Sequence, residues 1–162
     1  MGVIIYPCKI KERVGDLREG NEREDLFEEY TNNGEDVLYM LHSDLSEPFG
    51  TGFYTYDCGN THLSMSYGTN WDLFCCLEDI DDELEQSGCF TTFLNAHDID
   101  NSISYTIADK MLNEFETHKE AVNRYIHKRM SDEYGDFLWH NYLLYIAVLK
   151  ECVEIKGAVR YH

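Results

Sequence analysis

No lysine and no arginine occurs between Glu24 and Asp109, a stretch that carries nineteen Asp and Glu residues. The other twelve acids (31 − 19) accompany all 13 basic residues, so the flanks are nearly neutral and the net charge of −18 belongs to the middle of the chain. A surface that negative repels phosphates, which argues against direct nucleic-acid binding. Anionic membranes repel it as well. Proline is scarce, at two residues, and no low-complexity run or internal repeat divides the 162 residues. One domain spanning 1–162 is therefore expected, without a linker.

Long apolar runs are also missing. The longest uncharged apolar segment, Phe137 to Leu149, is too short for a bilayer, which needs about 20 residues. Only five apolar residues precede Pro7, with no basic residue before them, so no signal peptide is read. Gly2 is followed by Tyr6 where a myristoylation pattern needs Ser or Thr. A soluble, cytoplasmic protein is expected. None of the six cysteines forms a C-x-x-C pair, which speaks against a zinc ribbon or redox motif. Without secretion, disulfides are not expected, and the cysteines read as small buried hydrophobes. No H-E-x-x-H, G-x-S-x-G, Walker or dinucleotide motif occurs, so neither enzyme chemistry nor a cofactor is expected.

What is present points to an α+β fold: a small antiparallel sheet packed by two to three helices, with the C-terminal helix central. Val3 to Ile10 reads as a strand, at an edge or bulged because of Pro7, and Lys11 to Glu22 as loop. Asn21 is placed to cap a helix over Glu22 to Tyr30, closed by Asn32-Asn33-Gly34. Asp36 to His42 is ambiguous between strand and helix. Gly52 to Asp57 and Thr61 to Tyr67 alternate like two strands of a hairpin near 52–67. Asn70 opens a helix whose apolar stripe is Leu73, Leu77, Ile80 and Leu84, and Gly88 closes it. Cys89 to Leu94 reads as a strand, and Asn95 to Asn101 as a loop. Ile107 to Met130 reads as one helix. Phe137 to Ile155 is apolar nearly all round, as a buried spine would be. Gly157 ends it, and Ala158 to His162 is a short tail.

The acids are densest from Asn70 to Gly88. Six carboxylates between Glu78 and Glu85 cover about 12 Å of helix axis. That is about one charge per 2 Å, against about 1.7 Å in duplex DNA. No Lys stands at i+4 to any of them, although like charges at that spacing destabilise a helix. A solvated face is one reading; a partner-binding surface that imitates nucleic acid is the other. The candidate contact residues are Asp72, Glu78, Asp79, Asp81, Asp82, Glu83 and Glu85, with Asp98 and Asp100. Phe53, Tyr54 and Tyr56, if not packed within the sheet, would add aromatic anchors.

Metal sites are poorly supported. Asp98-Ile99-Asp100-Asn101 begins like a calcium loop, but Ile103 stands where Gly is needed and Asp109 where Glu is needed. His97 beside Asp98 and Asp100, or Cys58 with His62, has no diagnostic spacing. Gly34-Glu35-Asp36-Val37-Leu38-Tyr39, then Leu45-Ser46, then Gly52-Phe53-Tyr54-Thr55-Tyr56 resembles part of the ArdB/KlcA antirestriction proteins. Those are small acidic proteins of mobile elements that block type I restriction. The resemblance implies an anti-defence role; the helix at Asn70 departs from that family.

These observations suggest a non-enzymatic acidic inhibitor of a basic, nucleic-acid-binding host protein, as a virus or mobile element would carry. An immunity protein that neutralises a basic toxin nuclease uses the same chemistry. A small metal-dependent enzyme using His97, Asp98 and Asp100 is the third reading.

Overall fold

In the computed structural model, residues 2–16, 21–83, 88–96 and 102–162 are described. The first strand, β1 (Gly2–Gly15), organises the sheet. On one side it pairs with β6 (Ala158–Tyr161), and on the other with β3 (Gly52–Cys58) and β4 (Leu63–Ser66). The order is β2–β3–β1–β6–β5, where β2 is Asp36–Met40 and β5 is Ser102–Ser104, and every pairing is antiparallel. The sheet curls, so that β2 and β5 approach each other.

The predicted hairpin is not one. β3 and β4 do not pair with each other; they run end to end along the same side of β1. Pro7 explains the break. In an antiparallel strand the N–H and C=O of one residue face the same side. The Pro7 carbonyl accepts from Gly59 N at 2.7 Å, so the missing N–H also faces the gap between β3 and β4 and costs no bond to β6. Pro7 thus lies within an interior strand, not at an edge. Gly59 fits because a Cβ there would stand 2.6 Å from Pro7 Cγ and 2.7 Å from Glu151 Oε1.

Two segments expected to be irregular are strand. Lys11 to Gly15 continues β1 although it is polar, because β3 supplies its ladder, with register shifts between Ile10 and Glu12 and between Arg13 and Gly15. Ala158–Tyr161 is no tail: it is buried between β1 and β5. It enters the sheet through a turn in which Lys156 takes the left-handed conformation (φ 49°). Gly157 passes so close to β1 that a Cβ would stand 1.9 Å from the Cys8 carbonyl oxygen.

The helices are α1 (Asn21–Asn32), α2 (Ser43–Ser46), α3 (Tyr67–Glu83), α4 (Thr91–Ala96), α5 (Tyr105–Thr117), α6 (Lys119–Arg129) and α7 (Asp132–Ile155). α3 starts three residues before Asn70, because Ser66 Oγ accepts from Thr69 N at 3.0 Å and serves as the cap. The segment read as a strand at Cys89 to Leu94 contains the start of α4. Glu114 takes the N–H groups of Thr92 and Phe93 at 2.7 and 3.1 Å, satisfying donors that a helix start leaves open. The single helix expected over Ile107 to Met130 is two, divided at His118.

The main core lies between α3–α7 and one face of the sheet. Phe115 stacks on Tyr142 at 4.8 Å and meets Phe93 edge-on at 5.4 Å. The buried Tyr142 and Tyr145 hydroxyls donate to Phe115 O and to the Tyr161 hydroxyl, each at 2.7 Å, so these polar tips are satisfied. Cys8, Leu38, Met40, Tyr54, Tyr56 and Ala158 form a second cluster.

Candidate functional site

The exposed face of α3 is the candidate. Leu73, Cys76, Leu77 and Ile80 turn into the core, as the stripe requires. At 100° per residue, Tyr67, Trp71, Phe74, Glu78 and Asp82 fall within about 80° of one another on the opposite side. Trp71 is 62% exposed and stacks on Phe74 at 5.5 Å; Tyr67 is exposed as well. Glu78, Asp79 and Asp82 are exposed farther along. The face therefore starts aromatic and becomes acidic. The acids lie toward the C-terminal side of α3, where the helix dipole disfavours negative charge by about 0.3–1 kcal/mol per residue in the last turn.

The predicted acids divide into two groups. Asp72 accepts the Tyr134 hydroxyl and joins α3 to α7. Asp79 accepts the Tyr125 hydroxyl at 2.6 Å and joins α3 to α6; burial, and then this bond, push the Tyr125 phenol up to about 12. Asp81 accepts Phe90 N at 2.8 Å and fixes the turn before α4. These three carboxylates help to build the fold. Glu78 and Asp82, among the described residues, have no hydrogen bond or ion pair and face solvent. Glu83 ends the described part of α3. Glu85, Asp98 and Asp100, together with His97, lie outside the described residues.

Tertiary structure brings a cation to α3 that its own sequence lacks. Arg129 of α6 lies 4.9 Å over the ring of Tyr125, the residue that binds Asp79. The part of the acidic face without such a neighbour is correspondingly narrower and centres on Glu78 and Asp82.

Phe53, Tyr54 and Tyr56 are not surface anchors. All three are buried, because the curled sheet and α1 cover both faces of β3. Tyr54 donates to the carbonyls of Phe49 and Gly50 at 2.6 and 2.8 Å. The exposed rings are instead Tyr67 and Trp71 on α3 and Phe137 on α7, which stacks on Tyr134 at 6.1 Å. Trp71 was legible as a candidate: it sits at the outward angle of a helix whose inward stripe holds at Leu73, Leu77 and Ile80, while Leu84 lies outside the described residues.

Among the described residues, no group of three or more His, Cys, Asp or Glu could hold a metal ion. Cys58 and His62 are both exposed. None of the helices described is long and apolar enough to cross a membrane.

Fold and site together define a mixed α+β domain with a curled antiparallel sheet and an outward aromatic-acidic helix. No family model, curated protein or solved structure matches the chain. The residues that resemble antirestriction proteins fall largely on β2 and β3, where Val37, Leu38, Phe53, Tyr54 and Tyr56 are core.

Proposed function

We propose that this chain is a non-enzymatic, cytoplasmic inhibitor of the anti-defence kind carried by viruses and mobile elements. It binds a basic nucleic-acid-binding protein, such as a nuclease, and occupies the groove that otherwise holds DNA or RNA. The observation that carries this reading is the outer face of α3: an exposed Trp71 in line with Glu78 and Asp82, on a helix without Lys or Arg. Carboxylates there would meet the partner's Lys and Arg in place of phosphates. Trp71 would supply the anchoring ring, a residue type enriched at binding hot spots.

The test is capture of proteins from a candidate host lysate on the immobilised chain, followed by elution with DNA or RNA. Basic nucleic-acid-binding proteins should be retained at low salt and released by the competing nucleic acid. The double substitution Glu78→Lys and Asp82→Lys should abolish their capture without unfolding, since both side chains are exposed and, among the described residues, form no hydrogen bond or ion pair. Asp79 is left in place because it holds Tyr125. Unchanged capture by the folded double variant, indifferent to nucleic acid, would overturn the reading.

A further inference from the structure

Arg160 points away from the helical layer and is buried, with 9% of its surface exposed. Its Nη1 donates to the Tyr56 hydroxyl, which is itself hydrogen-bonded to the Tyr6 hydroxyl at 2.9 Å. Its Cζ lies 5.7 Å from the Phe27 ring and 5.5 Å from the Tyr56 ring. A guanidinium offers five N–H groups. Among the described residues, no carboxylate forms an ion pair with Arg160, and Tyr56 is its one hydrogen-bond acceptor. A buried charge left in that condition is costly unless something compensates it.

A small cavity adjoins Arg160. Tyr39, Ser102, Arg160, Tyr161 and His162 line it, and its free volume is about 20 Å³, room for about one water-sized occupant. Ser102 is the residue opposite Arg160 in the β5–β6 register. Its hydroxyl is buried and, among the described residues, has no hydrogen-bond partner. In a chain with 31 acids, no Asp or Glu stands among the described residues that line this cavity, while Arg160 and Ser102 both do. We infer that the cavity binds one monatomic monovalent anion, a halide, between the Arg160 guanidinium and the Ser102 hydroxyl. The anion supplies the acceptor that Arg160 lacks and neutralises its buried charge. It also joins β5 to β6 beside the place where the sheet edges approach.

The test is thermal unfolding of the full chain at fixed ionic strength, with sodium gluconate replaced stepwise by chloride, bromide or formate. Fixed ionic strength removes the general screening that any salt gives a chain of net charge −18. The melting temperature should rise with the logarithm of halide concentration above Kd, by roughly 3–6 °C at ten times Kd. Formate, with three heavy atoms, exceeds the cavity and should leave the melting temperature at its gluconate value; an equal response to formate would overturn the single-ion site. Ser102→Ala should weaken the affinity about tenfold while leaving the guanidinium in place, and Arg160→Gln should abolish the response. If Arg160→Gln does not fold, Ser102→Ala together with the position of bromide in crystals of the unaltered chain still decides. Identical melting in gluconate, chloride and bromide would overturn the inference. So would a salt response unchanged by Ser102→Ala with bromide bound elsewhere.

Discussion

Two regions of this molecule use carboxylates in opposite ways. At the gap between β3 and β4, Glu151 of α7 accepts from Asn60 N at 2.6 Å, Thr61 N at 2.8 Å and the Thr61 hydroxyl at 2.6 Å. Partial burial pushes its carboxyl up, but these donors outweigh that and its pKa lies below the ordinary glutamate value. On the outer face of α3, Glu78 and Asp82 meet only solvent among the described residues. The first carboxylate repairs a defect that Pro7 imposes on the sheet. The second pair gives nothing to the fold and stands near the unfavourable end of a helix. An acid whose presence stability does not explain is a candidate for function; an acid that closes a backbone gap is not.

The largest effects should come from the core that both regions rest on. Leu77→Ala and Ile146→Ala should each lower stability by about 2–5 kcal/mol in chemical denaturation, since both side chains are buried in the helical layer. Leu77 shares α3 with Glu78, so the adjacent pair tests directly which way the helix faces.

Glu151→Ala should cost about 2–4 kcal/mol, because it strips the acceptor from two N–H groups and a hydroxyl beside the crowded Gly59. A loss under 0.5 kcal/mol would mean that water replaces the carboxylate and that the contrast with α3 is false. Acid sharpens the same point. Because the folded pKa of Glu151 is lowered, its contribution is fully present above the unfolded value of 4.5 and is lost as pH falls below it through the folded value. Glu151→Gln should flatten that part of the stability profile.

Part of this contrast was legible in the sequence. Leu73, Leu77 and Ile80 defined the inner face of α3 by periodicity alone, and the spine from Phe137 followed from its apolar composition. What was not legible depended on distant partners. Glu151 lies ninety residues beyond Thr61, and nothing local marks it as the acceptor for that loop. Cys89 to Leu94 has strand-like composition, yet Glu114 and Asp81 hold the backbone of Phe90, Thr92 and Phe93 in a turn and short helix. Ala158 to Tyr161 looked like a tail because four residues carry no periodicity; its partners are β1, at the other end of the chain, and β5. Alternation in β3 suggested one wet face, but the curl of the sheet and α1 cover both.

The smallest expected effect bears most directly on function. Replacing Glu78 and Asp82 by Gln and Asn keeps the shape of the side chains and removes two negative charges. These residues stand four apart with no Lys or Arg between them, so each feels like-charge repulsion worth a few tenths of a kcal/mol. Removing the charges also relieves the conflict with the helix dipole. The double variant should therefore be unchanged or more stable by about 0.5 kcal/mol at low salt. The difference should vanish near 1 M salt, where the Debye length is about 3 Å. Denaturation of both chains at low and high salt measures it. A clear destabilisation that persists at high salt would show that these carboxylates hold the fold after all. The outer face of α3 would then resemble the Glu151 site, and its composition would need no partner to explain it.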